Sequence, residues 1–275
     1  MDPKANRFRY EYMRLEKIRA ILKRCPVAIV PSGLLEWHGE HNAIGLDGLK
    51  AYYICERAIQ LLGDGVLLPI NWIGTYGFIR YPGTICYTNL TTFTVFSEMI
   101  NELVKLGFKV IFVLTGHYGH YQMKELGRAV KRCSNQAREN GQDVCIAGYK
   151  PPDLIPSSFG GDHARQYETS MLMRVGEAWG IDLVDVSGCI EGIEQVEQYK
   201  IEDDLIPMRE PDEWVWDHDL KNTSICSAGF GEKLIDNMTR GMVLEILEMC
   251  ESVGIDYQPP NPVPFPDLNS NSTTS

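Results

Sequence analysis

Five of the six histidines in this 275-residue chain, His38, His41, His117, His120 and His163, fall in three short polar segments. The first reads Glu36-Trp37-His38-Gly39-Glu40-His41, with Asp47 eleven residues after Glu36. Carboxylates and imidazoles crowded together suit a hard-to-borderline divalent cation. Glu36 and His38 are two apart, so on an extended loop they point the same way; a solvated polar loop would carry the same residue types. The second segment is Thr115-Gly116-His117-Tyr118-Gly119-His120, whose glycines let the backbone turn tightly and approach a bound ion. A capped turn with incidental histidines is its plainer alternative. The third is Gly160-Gly161-Asp162-His163-Ala164, followed by Glu168-Thr169-Ser170. Asp162 is placed to cap a helix on which His163 and Glu168 stand five apart, about 140° around the axis, so they need not share a face. Together, Glu36, His38, Asp47, His117 and Glu168 make five candidate ligands, with His163 left over. Five ligands exceed one tetrahedral zinc site and suit two divalent ions sharing a carboxylate, a pair able to activate a bridging water and polarise a carbonyl.

These segments need a scaffold, and the hydropathy pattern supplies one. Pro26–Pro31, Val66–Ile70, Val110–Leu114 and Val144–Ala147 are short, branched, apolar runs bounded by Gly or Pro, and predict buried strands. Between them Leu49–Leu62, Phe93–Leu106 and Gln122–Arg138 carry helical spacing, and Glu232–Glu251 predicts a final helix. Alternating strands and helices predict an α/β fold: a mostly parallel sheet flanked by helices on both faces, in three α/β/α layers. Such sheets place their sites just past the carboxyl ends of strands, and the first two polar segments begin where an apolar run stops. A single domain is expected over residues 1–258, followed by a Pro- and Ser-rich tail, 259–275.

Composition excludes other classes. The formal charge is −11, from 37 acidic and 26 basic residues, which argues against nucleic acid or an anionic membrane surface as partner. Residues 191–220 hold eleven acids against Lys200 and Arg209, so −9 of the −11 lies in one stretch. With Tyr199, Trp214 and Trp216 inside it, that stretch predicts a loop-rich insertion covering a sheet edge or a subunit contact. His218 within it is a bystander. None of the eight cysteines forms a C-x-x-C pair, the N-terminus has no apolar core, and no run approaches a membrane span. A reduced, cytoplasmic protein is expected.

The three segments, in this order and spacing, resemble the signature of the creatininase (creatinine amidohydrolase) family. Its members carry E-x-H-G-x-H with a G-T-D-like end, then N-G-H followed by a short Gly- or Glu-containing turn, then G-D-H-A and E-T-S. Here these stand as Glu36–His41 with Gly45-Leu46-Asp47, as Thr115–His120, and as Gly161–Ala164 with Glu168-Thr169-Ser170. Weaker echoes lie at Tyr81-Pro82-Gly83-Thr84 and Ser227–Gly231. The resemblance implies a three-layer α/β/α enzyme assembled as a hexamer, with two divalent ions per chain (zinc, manganese or iron). It further implies that Glu36 and His117 hold one ion and His38 and Glu168 the other, with Asp47 bridging. His163 matches the catalytic histidine that carries a proton from attacking water to leaving nitrogen, and Tyr118 matches a tyrosine beside the metals. His41 matches a group that steadies a carboxylate rather than binding an ion. His120 has no counterpart and is either a surface histidine or a substrate contact.

The departures from the pattern also carry information. Creatininase proper has a Glu ligand two residues after the histidine matching His117, where this chain has Gly119; the ligand role then passes to Glu168. The pocket tryptophans of creatininase have no counterpart in Tyr149–Gly161, so creatinine is not the expected substrate. The resemblance therefore implies a dinuclear hydrolase opening a cyclic amide or cleaving a formamide on a small polar molecule. Two alternatives are a carbon–carbon hydrolase acting on a ring β-diketone from an oxidised cyclic polyol, and an inactive scaffold.

Overall fold

In the computed structural model, which describes residues 5–77, 81, 83–155, 162–186 and 226–264, four strands form one parallel sheet. They are β1 (Val27–Ser32), β2 (Val66–Leu67), β3 (Val110–Thr115) and β4 (Cys145–Tyr149), in the order β2-β1-β3-β4. Every residue of β1 and β3 is buried, as expected where helices cover both faces of a parallel sheet. β2 is shorter than its apolar run because Pro69 has no N–H for the ladder; the last backbone bond before it is Leu68 N–H to Ile29 O, at 2.9 Å.

Alternation along the strands divides the core in two. Val27 and Ile29 of β1, with Val110, Phe112 and Leu114 of β3, face α2 (Leu46–Leu62), α5 (Gln166–Trp179) and α6 (Ala228–Ser252). Ala28, Val30, Ile111 and Val113 face the opposite layer, α1 (Leu15–Arg24), α3 (Asn89–Leu106) and α4 (His120–Glu139). The expected three-layer α/β architecture is thus present. The helices begin a few residues before the apolar stripes that announce them, because their first turns are polar. In α3, Thr88 caps the start by accepting from Thr91 N–H at 3.1 Å, and Gly107 closes it in a left-handed turn, φ 103°. The acidic stretch 191–220, with Trp214, Trp216 and His218, lies outside the described residues, as does the tail beyond residue 264. No helix among the described residues is long and apolar enough to cross a membrane.

The sheet order turns outward in both directions from β1 and β3, which pair along their whole length and end together at Ser32 and Thr115. Both strands run on into a glycine that lets the first turn of α2 come close. A Cβ on Gly33 would lie 2.2 Å from Gly48 N, and one on Gly116 would lie 2.0 Å from the carbonyl oxygen of Asp47. The opposing atoms are backbone, so no side-chain rotation relieves either clash. Gly116→Ala is expected to destabilise the fold by about 2–3 kcal/mol through forced backbone displacement. A chemical-denaturation midpoint equal to wild type would show that Asp47 is not wedged there.

Candidate metal centre

The strand ends and the start of α2 bring the separate polar segments into one buried cluster. Glu36, His38, Asp47, His117 and Glu168 are each at most 5% exposed. The loop after β1 is closed by Glu36 N–H to Ile44 O at 3.0 Å and held at its outer side by Trp37, which stacks on Tyr81 with ring centroids 4.1 Å apart. Asp47 is in the first turn of α2 rather than on the loop that carries Glu36. His163 precedes α5 rather than standing on it: Asp162 accepts from the backbone N–H of Tyr167 at 2.8 Å and of Glu168 at 3.1 Å, and the helix starts at Gln166. The angular separation of an ideal helix therefore does not apply to His163 and Glu168. Both face the cluster, with Ala164 between them in a left-handed turn at φ 58°.

Each central histidine uses one ring nitrogen for orientation and turns the other to carboxylates. His117 donates from Nε2 to Thr75 O at 3.0 Å, leaving Nδ1 2.9 Å from Glu36 Oε2 and 3.4 Å from Asp47 Oδ2. His38 donates from Nδ1 to Glu36 O at 3.0 Å, leaving Nε2 3.3 Å from Asp47 Oδ1 and 3.6 Å from Glu168 Oε2. Two groups of ligand atoms result, Glu36–Asp47–His117 and His38–Asp47–Glu168, each gathered within 4.8 Å and sharing Asp47; Glu36, His38 and His163 form a third group of the same kind.

Facing lone pairs on neutral imidazoles and carboxylates repel, so this arrangement demands positive charge. Burial alone would raise Glu36 and Asp47, yet His117 brings Glu36 below the usual carboxylate range, and His38 with Lys50 holds Asp47 well below it. Conversely, burial opposes charge on His38 and His117, while the surrounding carboxylates pull His38 up to about 9 and His117 well above its ordinary value. Three carboxylates and one ammonium, Lys50, leave a formal −2 before the imidazoles are counted. A nitrogen-and-oxygen donor set with that deficit fits divalent zinc, manganese or iron.

Around the cluster, the remaining expected residues separate. His163 stacks obliquely on His38, ring centroids 4.3 Å apart, and burial with the charge on His38 pulls it down to about 4. Its ring is neutral at pH 7. The Tyr118 hydroxyl lies 3.1 Å from both Glu168 Oε1 and Asp162 O. His41 reaches across 123 residues to donate from Nε2 to Ala164 O at 3.1 Å, while Ala164 N–H donates to Glu168 Oε2 at 2.8 Å. It thus acts on the carboxylate through one intervening residue, and burial lowers it to about 4. His120 is exposed at the start of α4, against Tyr121, and does not line the cavity. That cavity, about 250 Å3, is bordered beyond the cluster by Tyr76, Gly77, Tyr118, Gly119, Asp162 and His163.

Three contributors escaped the sequence reading. Lys50, completely buried, pairs with Asp47 and Glu168; a lysine one turn after Asp47 in an otherwise apolar stretch was its signal. Gln122, also fully buried, donates to Ile73 O and accepts from Thr75 N–H at 3.0 Å, fixing the carbonyl that orients His117. Gly77 has no side chain because a Cβ would sit 1.7 Å from Glu36 Oε1.

The creatininase (creatinine amidohydrolase) family model matches residues 11–244. A creatinine amidohydrolase of Pseudomonas putida is 24% identical over 182 residues, covering 60% of this chain and 68% of its own. A 3-dehydro-scyllo-inosose hydrolase of Thermotoga maritima is 29% identical over 110 residues, covering 39% and 35% respectively. Among solved structures, a creatininase superposes with a TM-score of 0.71 at 19% identity, over 88% of this chain and 98% of that one. A manganese form of creatininase and a zinc–zinc form of a creatininase variant each superpose with a TM-score of 0.70 at 19% identity, over 88% of this chain and 98% and 97% of theirs.

Proposed function

Because the chain belongs to the creatininase family, we propose that it is a metal-dependent hydrolase of a carbon–nitrogen bond in a small polar cyclic amide or formamide. The observation that carries the reading is the pair of ligand groups sharing Asp47. Glu36 and His117 would hold one divalent ion (zinc, manganese or iron), His38 and Glu168 the other, and Asp47 both. When bound, such ions polarise a carbonyl and make water nucleophilic at neutral pH. The protein's own groups do the rest. Thr75 O and Glu36 O keep His117 and His38 in the tautomers whose free nitrogens face the cluster. Neutral His163 accepts a proton from the attacking water on a ring nitrogen and returns it to the leaving nitrogen. The Tyr118 hydroxyl, at the border of the cavity, donates to Glu168 or Asp162 O and keeps a lone pair to accept from a substrate N–H or O–H. Gly119 leaves open the space that a longer side chain would fill. By family resemblance the working form is a homo-hexamer.

A second reading, hydrolysis of a carbon–carbon bond in a ring β-diketone, is favoured by the similarity to the Thermotoga maritima inosose hydrolase. Incubating metal-replete protein with lactams, N-substituted formamides and cyclic β-diketones separates the two. Ring-opened amino acid or free amine with formate is the expected outcome. Turnover of diketones alone would replace the first reading by the second, and no turnover of any class at full metal content would leave a scaffold.

A further inference from the structure

Lys50 is completely buried, and no step of the proposed hydrolysis uses it. Its Nζ lies 3.1 Å from Asp47 Oδ1 and pairs with Glu168 Oε1, while the Tyr118 ring covers it with its centroid 5.0 Å away. Asp47 Oδ1 and the Glu168 carboxylate are the groups turned toward His38. The other oxygen of Asp47, Oδ2, is turned toward His117 and is buried without a hydrogen bond. The ammonium thus engages the donors of one ligand group, whereas the Asp47 oxygen offered to the other group is left to its ion.

A buried lysine cannot retreat into solvent, and a divalent ion held by the same carboxylates must share their charge with it. We propose that Lys50 makes the two positions unequal: the His38–Asp47–Glu168 position binds its divalent ion more weakly than the Glu36–Asp47–His117 position and fills second. This rests on the two-ion reading above. Lys50 is a positioning residue in this account, keeping Asp47 Oδ1 and Glu168 aligned at low ion concentration and lowering the affinity of the position it borders.

The test is a Mn2+ titration of metal-stripped full-length protein in a buffered free-ion series, with bound ion counted directly. Wild type is expected to show two classes of site whose dissociation constants differ by about tenfold or more. Glu168→Gln is expected to remove the weaker class and spare the tighter. Lys50→Met is expected to tighten the weaker class by about tenfold or more, closing the gap, while Lys50→Arg, which keeps the charge, preserves it. Two equal classes in wild type, loss of the tighter class in Glu168→Gln, or a weaker class that Lys50→Met leaves unchanged or weakens further would overturn the proposal alone. A wild-type protein binding no divalent ion would overturn the two-ion reading and this proposal with it. If Lys50→Met does not fold, the wild-type and Glu168→Gln titrations still decide the order of filling, and Lys50→Gln takes its place as the neutral variant.

Discussion

Asp47→Asn is expected to leave the protein without a tightly held divalent ion at either position. Asp47 contributes one oxygen to each ligand group, 3.3 Å from His38 Nε2 and 3.4 Å from His117 Nδ1. An amide keeps its shape but removes the negative charge that the two imidazoles and Lys50 face, and its NH2 is a poor neighbour for a cation. Glu168→Gln, by contrast, touches one group, so it should cost one ion. Losing the charge stabilisation of both ions removes several kcal/mol from the transition state, roughly 10³-fold or more in turnover at about 1.36 kcal/mol per tenfold. Ion content by elemental analysis and turnover on the accepted substrate measure this together. A melting transition recorded alongside separates metal loss from unfolding. An Asp47→Asn protein that retained both ions would remove Asp47 from its bridging role.

The second large effect is expected at His163. His163→Ala should lower kcat by about 10²–10⁴-fold, the usual worth of a positioned proton carrier, with ion content unchanged. His163 borders the cavity beside His38, and burial lowers it, so its ring is neutral at pH 7. A neutral imidazole can take a proton; a charged one cannot. Added imidazole should restore part of the lost rate by entering the emptied space, which a merely structural role would not produce. Unchanged turnover in His163→Ala would eliminate the residue from the reaction and favour the scaffold reading. Loss of one ion in the same variant would move His163 into the ligand set, alongside Glu36 and His38, with which it shares a group of ligand atoms.

The sheet was legible in the sequence because parallel strands covered on both faces need uninterrupted apolar runs, as Val27–Val30 and Val110–Leu114 provide. The beginnings of the helices were less so. Leu46, Asn89 and His120 open helices whose first turns are polar or glycine-bearing, and hydrophobic periodicity starts only where a helix meets the core. For the same reason the pattern gives no sign that Asp47 stands on a helix, although as an acid in a first helical turn it matches the positive end of the helix dipole. The clustering of Glu36, His38, His117 and Glu168 was anticipated because their segments follow strand ends or a capped turn. What sequence spacing cannot convey is a partner brought in by tertiary packing. Gln122 acts through the backbone of Thr75, 47 residues away, and His41 through Ala164, 123 residues away. Lys50 is one turn from Asp47, but its second partner, Glu168, is 118 residues distant.

The proposed hydrolase requires that one buried cluster hold two divalent ions through five side chains. Elemental analysis of purified protein, repeated after reconstitution with Zn2+ or Mn2+ and removal of free ion, tests it most directly. Two ions per chain are expected, falling to one in Glu168→Gln and to none in Asp47→Asn. Less than one ion per chain in reconstituted wild type would contradict the account.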